Sequence, residues 1–193
     1  LRKNDQIFKA YNEIIQQQLE QGITEKAPNP AEGPTVHYLL HNAVIKPPLK
    51  SACCTTHQHH RREGVRNDQL YRGPVLPQLV GVPMRFREDE IALTADIENA
   101  FLRLELQEPN RDACRFLWLR NPDDIGAEIE RSLQAYRFCC VPFGVVSSPF
   151  LLAAVLKTHL KGYPDGSAVD RNLHVENIFI SAENPSEAER LYR

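Results

Sequence analysis

The sequence of 193 residues lacks any apolar run long enough to cross a bilayer, which takes about 20 consecutive apolar residues. It also lacks, at its first residues, the charged stretch followed by an apolar stretch that marks a secretory signal peptide. We therefore expect an intracellular, cytoplasmic protein that does not enter a membrane.

The sequence also lacks an excess of basic over acidic residues. The sequence has 23 Lys and Arg residues against 25 Asp and Glu residues, which gives a formal net charge of −2. A free-standing nucleic-acid-binding domain usually carries a clear basic surface. The charge balance therefore argues against strong autonomous binding to nucleic acid, and it leaves open chemistry at an acidic site.

The cysteines do not form a disulfide framework. There are five, an odd number, and four of them occur as two adjacent pairs. We expect reduced thiols, which agrees with an intracellular location. The 42% hydrophobic content can supply a sizeable core, and the length fits one domain or a fragment of a larger one.

Residues 91–106, IALTADIENAFLRLEL, contain a clear strand pattern. Ile91, Leu93 and Ala95 recur at period two, which predicts a half-buried strand that ends at Asp96. A carboxylate at the open end of a strand can hold a divalent cation, because the strand fixes its position and the open end admits a phosphate. Asp96 can equally be a cap of the following turn, which is a common role of Asp.

Periodicity and chain breakers predict the other elements. An amphipathic helix is expected over residues 5–21, with Gly22 as its stop, and a second helix from Ser147 or Ser148 to Gly162 with a hydroxyl cap. Pro83 is expected to break a helix in the preceding segment. Strands are expected over 35–46, 114–120, 136–141 and 173–182, a loop over 162–171, and a last helix capped by Asn184 or Ser186.

Residues 49–66 have neither helical nor strand periodicity, so we expect a solvated loop. The possible zinc ligands in this stretch are Cys53, Cys54, His57, His59 and His60. Adjacent cysteines and adjacent histidines do not match the usual spacings of zinc sites, Cys-x2-4-Cys and His-x3-5-His. A small zinc-binding domain is therefore kept only as an alternative.

Three motifs in order resemble the reverse transcriptases. Asp-Ile-Glu-Asn-Ala-Phe, residues 96–101, resembles their first catalytic motif, and YRFCCVPFGVVSSPFLL, residues 136–152, resembles their template- and nucleotide-gripping motif. LHVENIFIS, residues 173–181, stands where they carry a Tyr-Val-Asp-Asp hairpin. The chain is most similar to the Bel/Pao class of long-terminal-repeat retrotransposons, from about residue 11 onward with a gap near 49–66.

This resemblance implies an α+β fold: a polymerase palm with partial fingers, in which an antiparallel sheet packs on helices, and with the thumb absent. It implies an N-terminal helix and linker at 1–34 and partial fingers at 35–90. The palm would occupy 91–193, with a fingers excursion near 107–135 and truncation at its C-terminal side.

The implied activity is that of an RNA-directed DNA polymerase, a nucleotidyltransferase that adds deoxynucleotides to a primer on an RNA or DNA template. Such phosphoryl transfer uses two Mg²⁺ ions held by oxygen ligands. The resemblance implies Asp96 and Glu176 as catalytic residues and, together with Asn177, as metal ligands. Glu176 stands where the family has Asp, and its extra methylene moves the oxygens by roughly 1.5 Å where a tolerance near 0.5 Å is needed. We therefore expect this copy to be inactive.

The resemblance also implies a nucleotide-binding role for Ile97, through its backbone carbonyl, and for Phe101, Phe143 and Gly144. The Phe101 ring would clash with a 2′-hydroxyl and so favour deoxynucleotides, although a core aromatic is the alternative. Gly144 would let the backbone of its own segment come close to the template. The alternative is that this glycine serves only a turn. A non-catalytic palm remnant that binds nucleic acid or protein remains a second interpretation of the whole chain.

Overall fold

The computed structural model describes the backbone of residues 5–46, 50–55, 80–122, 132–145 and 147–192, and the side chains of these except 42–46 and 50–55. The chain forms two compact units, each made from two separate segments. Unit 1 contains Leu1–Arg66 and Phe101–Val145, and unit 2 contains Asn67–Ala100 and Val146–Arg193. The domain boundaries implied by the resemblance remain predictions.

Unit 1 begins with helix α1, Asp5–Glu20, which confirms the helix predicted from periodicity. Tyr11 and Ile15 lie on its apolar face and are fully buried. Gly22 ends the helix with a φ of 70°, a left-handed conformation that glycine adopts without steric cost.

The main sheet of unit 1 is antiparallel and has three strands in the order β1–β6–β5. These strands are β1, Thr24–Lys26; β5, Arg115–Leu119; and β6, Leu133–Phe138. Their inner face packs against α1 in a largely aromatic core. The large members of that core are Tyr11, Phe116, Trp118, Tyr136 and Phe138.

Unit 1 contains a second pair of strands, and one of them lies where the sequence predicts a loop. Strand β2, His41–Lys46, pairs antiparallel with β3, Lys50–Thr55, with Ala43 opposite Cys53. The loop prediction for residues 49–66 is therefore wrong over β3, because pairing with a neighbouring strand supplies backbone hydrogen bonds whatever the side-chain period. The remainder of that prediction, and the side chains of the proposed zinc ligands, lie outside the described residues.

Unit 2 contains a three-stranded antiparallel sheet in the order β4–β8–β7. Strand β4, Ile91–Asp96, has the predicted limits. Strands β7, Leu173–His174, and β8, Asn177–Ala182, form a hairpin with a two-residue turn.

The first helix of unit 2, α2 at Gly81–Arg85, runs through Pro83 without a break. The predicted break is wrong because the helix begins at Gly81. Pro83 therefore falls in the first turn, where the backbone N–H has no intrahelical partner to lose.

The other helices of unit 2 follow β4 in the chain: α4, Ser148–Leu160; α5, Gly166–Asn172; and α6, Pro185–Tyr192. The start of α4 is confirmed, although Ser147 makes no capping hydrogen bond. The loop predicted at 162–171 is present up to residue 165, and helix α5 replaces it from Gly166 onward. The predicted cap of α6 is confirmed at Asn184, whose side-chain oxygen accepts the N–H of Glu187 at 3.0 Å.

The described chain thus mixes helices with antiparallel sheets, and this confirms the predicted α+β class. A short helix, α3, spans Glu108–Arg111 in unit 1. No helix in the described part of the chain is both long and apolar enough to cross a membrane.

Candidate active site

Strand pairing in unit 2 places Asp96 directly opposite Asn177. Residues opposite each other in an antiparallel pair share one face of the sheet, with Cβ atoms about 4.5–5.5 Å apart. Asp96 is exposed and is the last residue of β4. The two residues predicted from separate motifs therefore lie side by side at one end of the sheet.

Glu176 lies at the same end of the sheet, in the turn between β7 and β8. Its backbone carbonyl accepts the N–H of Ile97 at 3.0 Å, which extends the pairing one step beyond Asp96 and Asn177. The structure thus brings together four of the predicted site residues: Asp96, Ile97, Glu176 and Asn177.

The turn that carries Glu176 is strained at its first central residue. Val175 has a φ of 58°, a left-handed conformation that is unusual for a β-branched side chain. Such a conformation costs about 1–3 kcal/mol and persists only where the surroundings over-determine it. Two-residue hairpin turns normally place glycine or asparagine at this position.

The turn after Asp96 is held by a backbone hydrogen bond. The N–H of Ala100 donates to the carbonyl of Ile97 at 3.1 Å, and Asn99 takes the left-handed position with a φ of 55°. Asparagine tolerates that conformation well. Within the described residues the Asp96 carboxylate accepts no hydrogen bond, so the turn does not depend on it as a cap.

The donor atoms available at this end of the sheet are oxygens. Asp96 and Glu176 supply carboxylates, and Asn177 supplies a neutral amide oxygen. Hard oxygen donors are the ligands that Mg²⁺ takes. Among the residues the structure describes, no group of three or more His, Cys, Asp or Glu side chains is arranged to hold a metal. The set fits a magnesium site in donor type, and with two carboxylates it has one negative charge fewer than it would with aspartates at both 176 and 177.

His174 pairs with Asn177 across the hairpin. Its side chain is half-buried. Its Nδ1 atom is buried and finds no hydrogen-bond partner among the described residues.

Two of the predicted nucleotide-binding residues, Phe101 and Phe143, contact each other in unit 1. Their rings meet edge to face with centroids 4.8 Å apart. Phe101 is 6% exposed and Phe143 is 39% exposed. Phe101 therefore has the environment of a core aromatic, and Phe143 covers it on the outer side.

Gly144 follows Phe143 with a φ of 83°. A side chain would be strained in this left-handed conformation, so the turn itself requires glycine here. The turn role that the sequence left open is thus present in the structure. The nucleotide-binding roles of Phe101, Phe143 and Gly144 remain predictions.

A buried ion network in unit 1 escaped the sequence analysis. Asp112 is 0% exposed, and its Oδ1 accepts Arg115 Nε at 3.0 Å and Arg137 Nη1 at 3.1 Å. Its Oδ2 accepts the backbone N–H groups of Glu32 at 2.9 Å and Gly33 at 2.8 Å. Burial alone would raise the pKa of Asp112, but these four donors together lower it to about 2.

The network continues outward through Glu25. Arg137 Nε donates to Glu25 Oε1 at 2.6 Å, and Arg111 lies 3.4 Å from the same oxygen. Burial would raise the pKa of Glu25, yet its contacts with Arg137 and Arg111 lower it. The signal in the sequence was an arginine inside each of two apolar strands, at Arg115 and Arg137, because a charge placed there needs a partner.

No family model matches this sequence, and no curated protein matches it either. Solved structures do match its fold. The native protease–reverse transcriptase of prototype foamy virus has a TM-score of 0.69 and 18% identity, over 98% of this chain and 22% of that chain.

Two complexes of the foamy viral enzyme also match, each over 98% of this chain. The form called dRH, in complex with double-stranded DNA, has a TM-score of 0.62 and 18% identity over 28% of that chain. The complex with an RNA/DNA hybrid has a TM-score of 0.64 and 17% identity over 22% of that chain. The chain spans about a quarter of the length of these enzymes and has a reverse-transcriptase-like fold, as predicted.

Proposed function

We propose that this chain is a fragment of an RNA-directed DNA polymerase from a Bel/Pao-class retrotransposon, consisting of the palm and part of the fingers. The observation that carries the proposal is the pairing of Asp96 with Asn177 beside the turn that holds Glu176. The fold shared with a foamy virus reverse transcriptase supports it.

In this proposal Asp96 and Glu176 hold two Mg²⁺ ions, with Asn177 and the backbone carbonyl of Ile97 as further oxygen ligands. Ions held there would supply positive charge to neutralise the transferred phosphoryl group. The chain's own contribution is placement. Strand β4 fixes Asp96, and the hairpin fixes the other two side chains against it.

The aromatic pair in unit 1 supplies a proposed contact with the incoming nucleotide. Phe143 is the exposed member and would meet the nucleotide first, whereas Phe101 supports it from below and would limit room at the sugar 2′ position. Gly144 would allow the template to approach the backbone of the turn.

The proposed partners are an RNA or DNA template, a primer and deoxynucleoside triphosphates. The foamy viral enzyme has been solved with double-stranded DNA and with an RNA/DNA hybrid, and this supports nucleic acid as the partner class. The formal charge of −2 indicates that this piece alone offers few phosphate contacts.

We expect no polymerase activity from the present sequence, because Glu176 carries its carboxylate one methylene too far and Asn177 has no charge. Primer extension with Mg²⁺ or Mn²⁺ tests this, with the variant Glu176→Asp run beside the wild type. Template-dependent extension by the wild type that disappears in Asp96→Ala would show that the expected inactivity is wrong.

The weakened donor set favours one alternative, a non-catalytic remnant that binds nucleic acid. Fluorescence anisotropy with an RNA/DNA duplex at rising salt distinguishes it, since phosphate contacts make affinity fall steeply with salt. Binding that does not change with salt would indicate an apolar contact with a protein. Metal analysis with and without Cys53 and Cys54 tests the remaining zinc interpretation.

A further inference from the structure

The end of α2 and the residues after it contact the entry to the hairpin that carries Glu176 and its second strand, β8. We call these contacting residues the clamp: Arg85, Phe86 and Asp89. At the end of α5, Arg85 Nε donates to Asn172 Oδ1 at 3.0 Å, and Arg85 Nη2 donates to the carbonyl of Arg171. Both acceptors lie directly before β7, so one guanidinium fixes the entry to the hairpin at two points.

The clamp also holds the second strand of the hairpin, β8. Ser181 Oγ lies 2.6 Å from Asp89 Oδ2 and 3.0 Å from the carbonyl oxygen of Arg85. A hydroxyl has one proton to donate, and the shorter contact with the charged carboxylate is the stronger bond. Phe86 adds an edge-to-face contact with Phe179, with ring centroids 5.6 Å apart.

The hairpin needs support of this kind. Strand β7 has only two residues and pairs with β8 alone, at the edge of the sheet. Val175 occupies a left-handed conformation that persists only where neighbouring structure imposes it. Glycine at position 81 leaves room for the Arg85 side chain, since a Cβ on Gly81 would come within 2.8 Å of Arg85 Nη1.

We propose that Arg85 is a positioning residue. Its guanidinium fixes the end of α5, where the chain enters the hairpin, and so holds Glu176 and Asn177 in register with Asp96. This inference rests on the proposed metal-binding role of these three side chains. Loss of a partner that bonds a metal ligand directly weakens metal affinity by about 10–100-fold, and Arg85 acts one step further away, so we expect a loss at the lower end of that range.

The test uses the whole chain and two measurements. Mn²⁺ affinity is measured from the electron paramagnetic resonance signal of the free ion. Opening of the hairpin is measured by hydrogen exchange at the amide of Ile97, which is bonded to the Glu176 carbonyl. Arg85→Gln is compared with Arg87→Gln, which removes the same charge from an exposed side chain that has no hydrogen bond or ion pair among the described residues.

We expect Arg85→Gln to weaken Mn²⁺ binding about tenfold and to speed Ile97 exchange to a similar degree, at unchanged far-ultraviolet circular dichroism. Arg87→Gln should change neither quantity. If the wild type binds Mn²⁺ in a way that Asp96→Asn abolishes, yet Arg85→Gln binds it equally well, the positioning role is overturned and the metal site stands.

If wild-type binding of Mn²⁺ does not depend on Asp96, the proposed metal site is wrong. Hydrogen exchange at the Ile97 amide then remains as the test of whether the clamp holds the hairpin. Equal exchange in the Arg85 and Arg87 variants overturns the clamp in either case. Should Arg85→Gln not fold, Asn172→Ala removes the side-chain acceptor of Arg85 Nε and gives the same comparison. Unchanged exchange in that variant also overturns the clamp.

Discussion

Replacement of Asp112 by asparagine tests whether the buried ion network stabilises unit 1. The Asp112 carboxylate presents one oxygen to two guanidinium groups and the other to two backbone N–H groups. Asparagine has the same shape but only one oxygen. In either orientation its NH2 group would face a pair of donors.

The expected loss follows from these four bonds. Hydrogen bonds to a charged group contribute about 1.5–3 kcal/mol each, and two of them would be lost. Arg115 and Arg137 are 5% and 4% exposed, so both would keep a buried charge; Arg137 retains its pair with Glu25, whereas Arg115 loses its carboxylate partner. Removing one partner of a buried ion pair costs about 3–5 kcal/mol. We expect Asp112→Asn to lower the free energy of unfolding by about 3–5 kcal/mol.

Urea denaturation followed by the fluorescence of Trp118 measures the effect. Trp118 is the single tryptophan of the chain, is 6% exposed, and lies in the core of unit 1. The matched control is Asp5→Asn, which removes an exposed pair with Lys9 in the same unit and should cost less than about 1 kcal/mol. A loss for Asp112→Asn no larger than that of the control would refute the argument.

Two further predictions follow from the same contacts and from glycine packing. Because the folded chain holds the Asp112 pKa near 2, below its ordinary value of 3.8, unit 1 should lose stability as pH falls from about 4 toward 2. Acid titration of the Trp118 signal checks this, and the wild type and Asp112→Asn should converge at low pH; parallel curves would contradict it. Gly166→Ala should destabilise unit 2 by about 1–3 kcal/mol, since its Cβ would lie 1.8 Å from the carbonyl oxygen of Leu160. Thermal unfolding by circular dichroism compares it with Gly162→Ala, whose Cβ meets nothing closer than 3.4 Å, and equal midpoints would show the expectation to be wrong.

The parts of the fold that could be predicted are those set by local pattern. Helix α1 follows from apolar residues at helical spacing and from the glycine after it. Strand β4 follows from alternation, and its end at Asp96 was placed correctly. The pairing of Asp96 with the hairpin could be expected only from the motif order, because no local property of either segment determines which strands meet.

The parts that could not be predicted depend on distant partners. Strand β3 lacks a side-chain period and forms because β2 is beside it. The tolerance of Pro83 depends on where α2 begins. Nothing in the local sequence marks Asp112 or Arg85, because most of their partners are remote in the chain; the fold buries the first and places the second against the entry to the hairpin.

The interleaved path of the chain also sets the order in which it can fold during synthesis. Strand β4 is made well before its partner β8, and β1 must likewise wait for β6. Neither sheet can therefore close until its later strand has left the ribosome, and Asp96 acquires its neighbour across the strand only after Asn177 has been made. Chains truncated before β8 would leave the pairing edge of β4 open, and such edges promote aggregation.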